Sequence, residues 1–244
     1  MKSWIAGTEY TLNKPFFCPD NGETLTANGI DVIKRNSFVE NETENFFENL
    51  SVREIFKDRE NSIWIATREQ GIKRLREGKF TTYTLKQGIS NNLPVCLYED
   101  SKKNLWVGLK NGEINKLNKK GSKFYRVKWS SYLGNDIIRA IYEDKIGNLW
   151  VGSFGSGLFK ISNNDILQYT ENEGLISNFV RTIFLDSKGD LWIGTREGIS
   201  IYKNGKWFQT NKPGAWFWCV ECVGPDDIWA GSDTGDIYHY AGSN

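Results

Sequence analysis

Two arginines sit at one place in two copies of a short motif, Arg68 in "ATREQ" and Arg196 in "GTREG". Two guanidinium groups on one rim of a fold could grip a carboxylate or phosphate bidentately. The competing use is a surface salt bridge with a neighbouring glutamate, which contributes little. A second set is aromatic: Trp129, Tyr132, Phe154, Trp216 and Trp218 fall in or beside expected loops rather than at repeated strand positions. A ring on a loop offers a platform for a sugar or a peptide side chain, or else covers a junction between packed sheets. Phe16 and Phe17 have the character of a lid or plug, or of local packing.

Catalysis has little to stand on. Hydrolytic or lyase chemistry wants a histidine or a carboxylate pair in a cleft. His239, the single histidine, lies between Tyr238 and Tyr240 on what reads as a strand. A lyase would rest on His239 as its base. Nucleophile-elbow, P-loop and dinucleotide fingerprints are missing, so no cofactor is expected. The four cysteines are Cys18, Cys96, Cys219 and Cys222. "CVEC" at 219–222 has metal-ligand spacing but no second pair, and on a strand its two thiols would face opposite sides. No metal is expected.

These residues hang on a repeat. A Trp-(Ile/Val/Ala)-(Gly/Ala) step recurs at Trp4, Trp64, Trp106, Trp150, Trp192 and Trp229, at intervals of 60, 42, 44, 42 and 37. After each comes a glycine that opens an apolar alternation: Gly29, Gly71, Gly112, Gly157, Gly198 and Gly235. Trp to Gly is 7 residues in the second repeat and 25 in the first, so the first carries an 18-residue insertion, placed at about 9–27. Ahead of four Trp steps, an apolar run ends in Asp six residues before the Trp, at Asp58, Asp100, Asp144 and Asp186. Asn and Gly between the two mark a hairpin turn, and these aspartates are expected to accept its amides. A more polar run, "KFTTYTL", "SKFYRVKW", "DILQYT" or "KWFQT", follows four of the Gly strands.

Four short strands per repeat of about 42 residues, with Trp and Gly at fixed offsets, describe the blade of a β-propeller. The expected fold is all-β, a single propeller domain over 1–244 of about six four-stranded blades, the first and last incomplete. Repeats are placed at about 1–49, 50–91, 92–135, 136–178, 179–215 and 216–244. Inner strands covered on both faces should read as apolar runs, and "NLWVG" and "DLWIG" do. The glycine after Trp admits a neighbouring sheet at close range.

Composition excludes some partners. Lys+Arg number 31 and Asp+Glu 30, so no global field favours nucleic acid or an anionic membrane. No run is long and apolar enough to span a membrane, and the first ten residues lack the core of a signal peptide. The compartment stays open between cytoplasm, for a complete chain, and periplasm, for a piece of an exported one.

"VRTIFLDSKGDLWIGTREGISIY" and "IIRAIYEDKIGNLWVGSFGSGLFKI" resemble the two-component regulator propeller repeat, and the Gly-Leu-x-x-Asn lead-in ending at Asn178, repeated at Asn92, strengthens the likeness. That repeat builds the ligand-sensing periplasmic domain of bacterial hybrid two-component sensors. The resemblance covers roughly 50–210 and implies a module that binds a ligand or a partner. More distantly the repeat resembles virginiamycin-B-lyase propellers, and its Asp-turn-Trp hairpin resembles the Asp-box of sialidases without the Ser/Thr positions.

The expected function is therefore non-catalytic binding of an oligosaccharide or small metabolite at the channel rim, through Arg68, Trp129, Tyr132, Phe154, Arg196, Trp216 and Trp218. The alternatives are a protein-interaction scaffold whose open ring pairs with a partner or second copy, and a lyase-like enzyme.

Overall fold

The repeat folds as its spacing demands. In the computed structural model, the described residues are 51–76, 79–118, 122–162, 165–210, 216–224 and 227–241, together with three earlier strands. Those are β1 (Glu23–Ala27), β2 (Val32–Asn36) and β3 (Thr43–Phe47), which form one sheet. The second sheet holds β4 (Val52–Lys57), β5 (Ile63–Thr67), β6 (Ile72–Arg76) and β7 (Lys79–Tyr83). The third holds β8 (Pro94–Glu99), β9 (Leu105–Leu109), β10 (Ile114–Leu117) and β11 (Phe124–Arg126). The fourth holds β12 (Ile138–Glu143), β13 (Leu149–Ser153), β14 (Leu158–Ser162) and β15 (Asp165–Tyr169).

The fifth sheet is β16 (Val180–Leu185), β17 (Leu191–Thr195), β18 (Ile199–Lys203) and β19 (Lys206–Thr210); the sixth is β20 (Phe217–Gly224), β21 (Asp227–Ser232) and β22 (Ile237–Ala241). Every sheet is antiparallel and runs in chain order, and β4, β8, β12, β16 and β20 neighbour one another as the innermost strands. The fold is a β-propeller. Glu23–Ala27, within the stretch expected as an insertion, is itself a strand paired with β2. Trp4, Phe16, Phe17 and Cys18 lie outside the described residues. So do the side chains of Cys219 and Cys222.

Why each hairpin closes is visible in its Asp. Asp100 Oδ1 accepts the amides of Lys102 (2.9 Å) and Asn104 (2.8 Å), while Oδ2 accepts the Asn104 side chain (2.7 Å) and Trp106 Nε1 (2.9 Å). Asp58, Asp144 and Asp186 likewise bind Trp64, Trp150 and Trp192 at 2.7, 3.0 and 3.0 Å. The turn residue is thus also the partner of the indole. That lets Trp64, Trp106 and Trp150 be buried without stranding a polar N–H. Trp192 is half-buried by the same device.

Blade stacking explains the glycine. A Cβ on Gly152 would collide with Val180 Cγ1 at the start of β16, and one on Gly108 would lie 2.6 Å from Ile138 Cγ2 at the start of β12. The equivalent position in the second sheet is Ala66, which is buried, and in the sixth it is Gly231. The lead-in asparagines brace loops as expected: Asn92 Oδ1 accepts the Leu85 amide (3.1 Å) and Asn178 Oδ1 the Glu171 amide (3.0 Å). Each opens a short 3-10 turn, at Leu85–Gln87 and Glu171–Glu173. Among the described residues no helix is long and apolar enough to cross a membrane.

Candidate functional site

The innermost strands share an irregularity that builds the site. Val52 pairs Thr67 and Glu54 pairs Ala66, so Arg53 is an extra residue that leaves the ladder. The same shift singles out Val95 in β8, Arg139 in β12, Arg181 in β16 and Trp218 in β20. A bulge leaves one residue unpaired and re-aims its side chain, a device that recurs beside binding sites. Arg53 and Arg139 come from strands separated by β8, yet the Arg53 guanidinium feels the charge of Arg139. Arg139 also acts on Arg181. Arg139 and Arg181 thus lie over the same ring, Phe154, and Arg53 is within range of the Arg139 charge.

A second ring surrounds them. Where each Trp strand ends, the next residue donates its amide to the residue just before the inner strand: Arg68 to Ser51 O (2.8 Å), Lys110 to Leu93 O (3.0 Å), Phe154 to Ile137 O (2.9 Å), Arg196 to Phe179 O (3.1 Å) and Asp233 to Trp216 O (2.9 Å). The loop behind is held by a buried hydroxyl. Thr67 donates to Gly71 O (2.7 Å), Ser153 to Gly157 O (3.1 Å) and Thr195 to Gly198 O (2.8 Å). Gly71 and Gly157 take φ of 74° and 80°, open to glycine at little cost, which lets the loop turn back at once. Arg68, Phe154 and Arg196 are thus equivalents on one rim.

Arginine and aromatic rings interleave there. Arg181 lies over Phe154 (5.0 Å) and Trp216 (4.8 Å), Arg196 over Phe179 (5.3 Å) and Trp216 (4.8 Å), and Arg139 over Phe154 (5.2 Å). Phe154 meets Phe179 edge to face at 5.0 Å, and their backbones are bridged. Burial, then the charges of Arg139 and Arg196, pull the Arg181 guanidinium down to about 10, against which Asp233 works. Arg53 is lowered by burial and by Arg139 and Arg68; Arg139 is lowered by burial, with Cys96 opposing. Desolvation disfavours the charged form, and like charges add to it. The Nε atoms of Arg53 and Arg139 are buried and lack a hydrogen-bond partner among the described residues.

Of the residues read from sequence, Phe154, Arg196 and Trp216 come together, and Arg68 joins through its field on Arg53. Trp218 occupies the sixth sheet's bulge, its side chain outside the described residues. Trp129 instead sits in the 3-10 turn Lys128–Leu133, half-buried and 6.1 Å from Trp106, covering the third blade's core. Tyr132 in the same turn is 76% exposed, with no ring contact in the cluster. Its orientation follows from Ser130 and Leu133, the turn's buried face.

Sequence reasoning missed Arg53, Arg139, Arg181 and Phe179. The signal existed: each arginine stands five residues before the hairpin Asp. His239 does not join either; it stacks on Trp229 (4.3 Å) and meets Asp227 Oδ1 at 2.6 Å within its own sheet. Among the described residues no cluster of His, Cys, Asp and Glu could hold a metal ion.

Comparisons with known proteins fit this architecture. The extracellular domain of a hybrid two component system from B. thetaiotaomicron superposes with a TM-score of 0.73 at 20% identity, over 93% of this chain and 34% of that one. A second such domain from that organism gives 0.75 at 20%, over 94% and 32%. The chain thus spans about a third of their length. Virginiamycin B lyase from Staphylococcus aureus gives 0.74 at 14%, over 93% and 80%. At such identities the likeness speaks for the fold. No curated protein matches the chain. Residues 88–111, 131–155 and 174–197 match the family described as two component regulator propeller. Each matched stretch ends in the loop after a Trp strand, so it carries the bulge, the hairpin Asp and the rim together. Three of the chain's repeats, in the third, fourth and fifth sheets, thus match the two component regulator propeller repeat.

Proposed function

We propose that this propeller is a ligand-binding module of the sensor type, taking its ligand at the channel end where Phe154, Phe179 and Trp216 meet Arg181 and Arg196. The convergence of those residues from three successive blades carries the reading. Flat rings beside fixed donors form the pattern of a small-molecule site, in which apolar surface supplies affinity and a few polar groups fix orientation. The match to the two component regulator propeller repeat, and the likeness in fold to extracellular domains of hybrid two component systems, support a sensor role. An oligosaccharide suits the rings, which can stack on a pyranose face.

Isothermal titration against a panel of neutral and acidic oligosaccharides tests this. A bound member should lose roughly tenfold in affinity on Trp216→Ala, the worth of one aromatic stack. Tyr132→Ala, on the exposed turn, should leave affinity unchanged. Equal loss in both variants, or loss only in Tyr132→Ala, would move the site elsewhere.

A further inference from the structure

We infer that the channel end is an oxyanion site, in which Arg53, Arg139 and Arg181, with Arg196 at the mouth, receive the carboxylate, phosphate or sulfate group of a ligand whose remainder lies against Phe154 and Trp216. The inference rests on the ligand-site reading above and adds the class of ligand. Three bulges present arginine from the second, fourth and fifth sheets, with Arg139 and Arg181 over the same Phe154 ring and Arg53 within range of the Arg139 charge. Bringing like charges together out of water is unfavourable unless something of opposite sign compensates.

Little does so among the described residues. Among the described residues, Arg53, Arg68, Arg139 and Arg196 make no ion pair. Asp233 acts on Arg181 alone among the cluster's shifted groups. Glu54, which neighbours Arg53 in sequence, is buried with Oε2 on the Leu97 amide at 2.7 Å, where it ties two inner strands together. A guanidinium over an aromatic face keeps its in-plane N–H donors for another partner. Arg139 lies so over Phe154, and the buried Nε atoms of Arg53 and Arg139 are each without a partner among the described residues. An unmet buried donor is costly, and an oxyanion that offers two oxygens side by side, as carboxylate, phosphate and sulfate do, is the acceptor that the guanidinium fork fits bidentately.

A structural role for these arginines predicts the opposite response to substitution. If they brace the ring, Arg139→Gln lowers the melting temperature. If they await an anion, Arg139→Gln relieves repulsion and desolvation, and the ligand-free protein melts at or above wild type.

The experiment uses the full chain, with sodium sulfate, sodium phosphate, glucuronate and glucose as probes. Thermal melts are compared with sodium chloride at equal ionic strength, and glucuronate and glucose are titrated calorimetrically. The expected result is a raised melting temperature with one or more oxyanions beyond the chloride control, and roughly tenfold weaker anion binding in Arg139→Gln. Arg53→Gln repeats the measurement should Arg139→Gln fold poorly. The ranking of sulfate, phosphate and glucuronate then shows which oxyanion the site takes. Glucose binding as tightly as glucuronate, with Arg139→Gln unaffected, would keep a ligand site and overturn its anionic class. No oxyanion effect beyond chloride, together with a lowered melting temperature in both variants, would overturn the inference and leave the arginines as bracing.

Discussion

Asp100→Ala should destabilise the protein by about 4 kcal/mol, since a buried charged acceptor of four hydrogen bonds is removed at once. Both carboxylate oxygens are committed, one to turn amides and one to the side chains of Asn104 and Trp106. The alanine variant strands the Trp106 indole N–H, which is buried in the cluster with Ile114, Val127 and Leu133. Asp100→Asn keeps the shape but offers one acceptor oxygen, and should lose about half as much. Urea unfolding measures both. Equal stability of wild type and Asp100→Ala would show that the turn closes without its Asp. Coupling to Trp106→Phe in a double-mutant cycle should exceed 0.5 kcal/mol in magnitude, roughly the threshold for residues in direct contact.

Acid should erase the same contribution. Burial works to raise the Asp100 carboxyl, but hydrogen bonds from Asn104, Trp106 and Lys102 outweigh it and hold the group below the usual aspartate value. A carboxyl lowered in the native state adds stability above its unfolded value of about 3.9, and loses it as pH falls through the native value. The gap between wild type and Asp100→Asn should therefore be level from about pH 7 to 5 and shrink below about pH 4. A gap that widened in acid would contradict the hydrogen-bonded carboxylate.

Gly152→Val should cost about 3 kcal/mol or more, through overpacking between blades rather than backbone strain. The clash falls on Val180 Cγ1, with Val180 Cβ at 3.1 Å and Ile183 Cδ1 at 3.4 Å. All three atoms belong to the innermost strand of the next sheet. They cannot retreat without moving the bulge that carries Arg181. Gly205→Ala is the contrast: nothing lies within 4 Å of its added methyl, and only the φ of 76° resists it. About 1 kcal/mol is expected there. Thermal unfolding of the two variants compares them directly. A loss in Gly152→Val no larger than in Gly205→Ala would mean that the blades are not packed at this glycine.

The repeat was legible because the two periodicities that specify a blade are local. Asp to Trp at six residues closes one hairpin, and Trp to Gly opens the next strand. Such signals need no knowledge of distant chain. The glycine after Trp could likewise be read as a close approach, and Gly108, Gly152 and Gly194 each meet the following sheet. What the sequence did not show was the partner of the indole. The Asp reads as a turn residue, and only the folded hairpin brings its second oxygen to Trp Nε1.

The site divides in the same way. Arg68, Phe154 and Arg196 were recognisable as rim residues because they follow the Trp strand at one offset. Trp129 and Tyr132 looked like their companions, being loop aromatics, yet the 3-10 turn at Lys128–Leu133 turns one onto Trp106 and the other outward. Arg53, Arg139 and Arg181 looked like ordinary polar residues alternating along a strand. The bulge changes that, because an extra residue breaks the alternation and frees the side chain from the face it would otherwise occupy. Sequence alone determined the blades, their hairpins and the rim loops, all set by contacts within one repeat. Tertiary structure decided that arginines from three sheets come within range of one another's charge, since the distance between blades is fixed by packing and not by spacing along the chain.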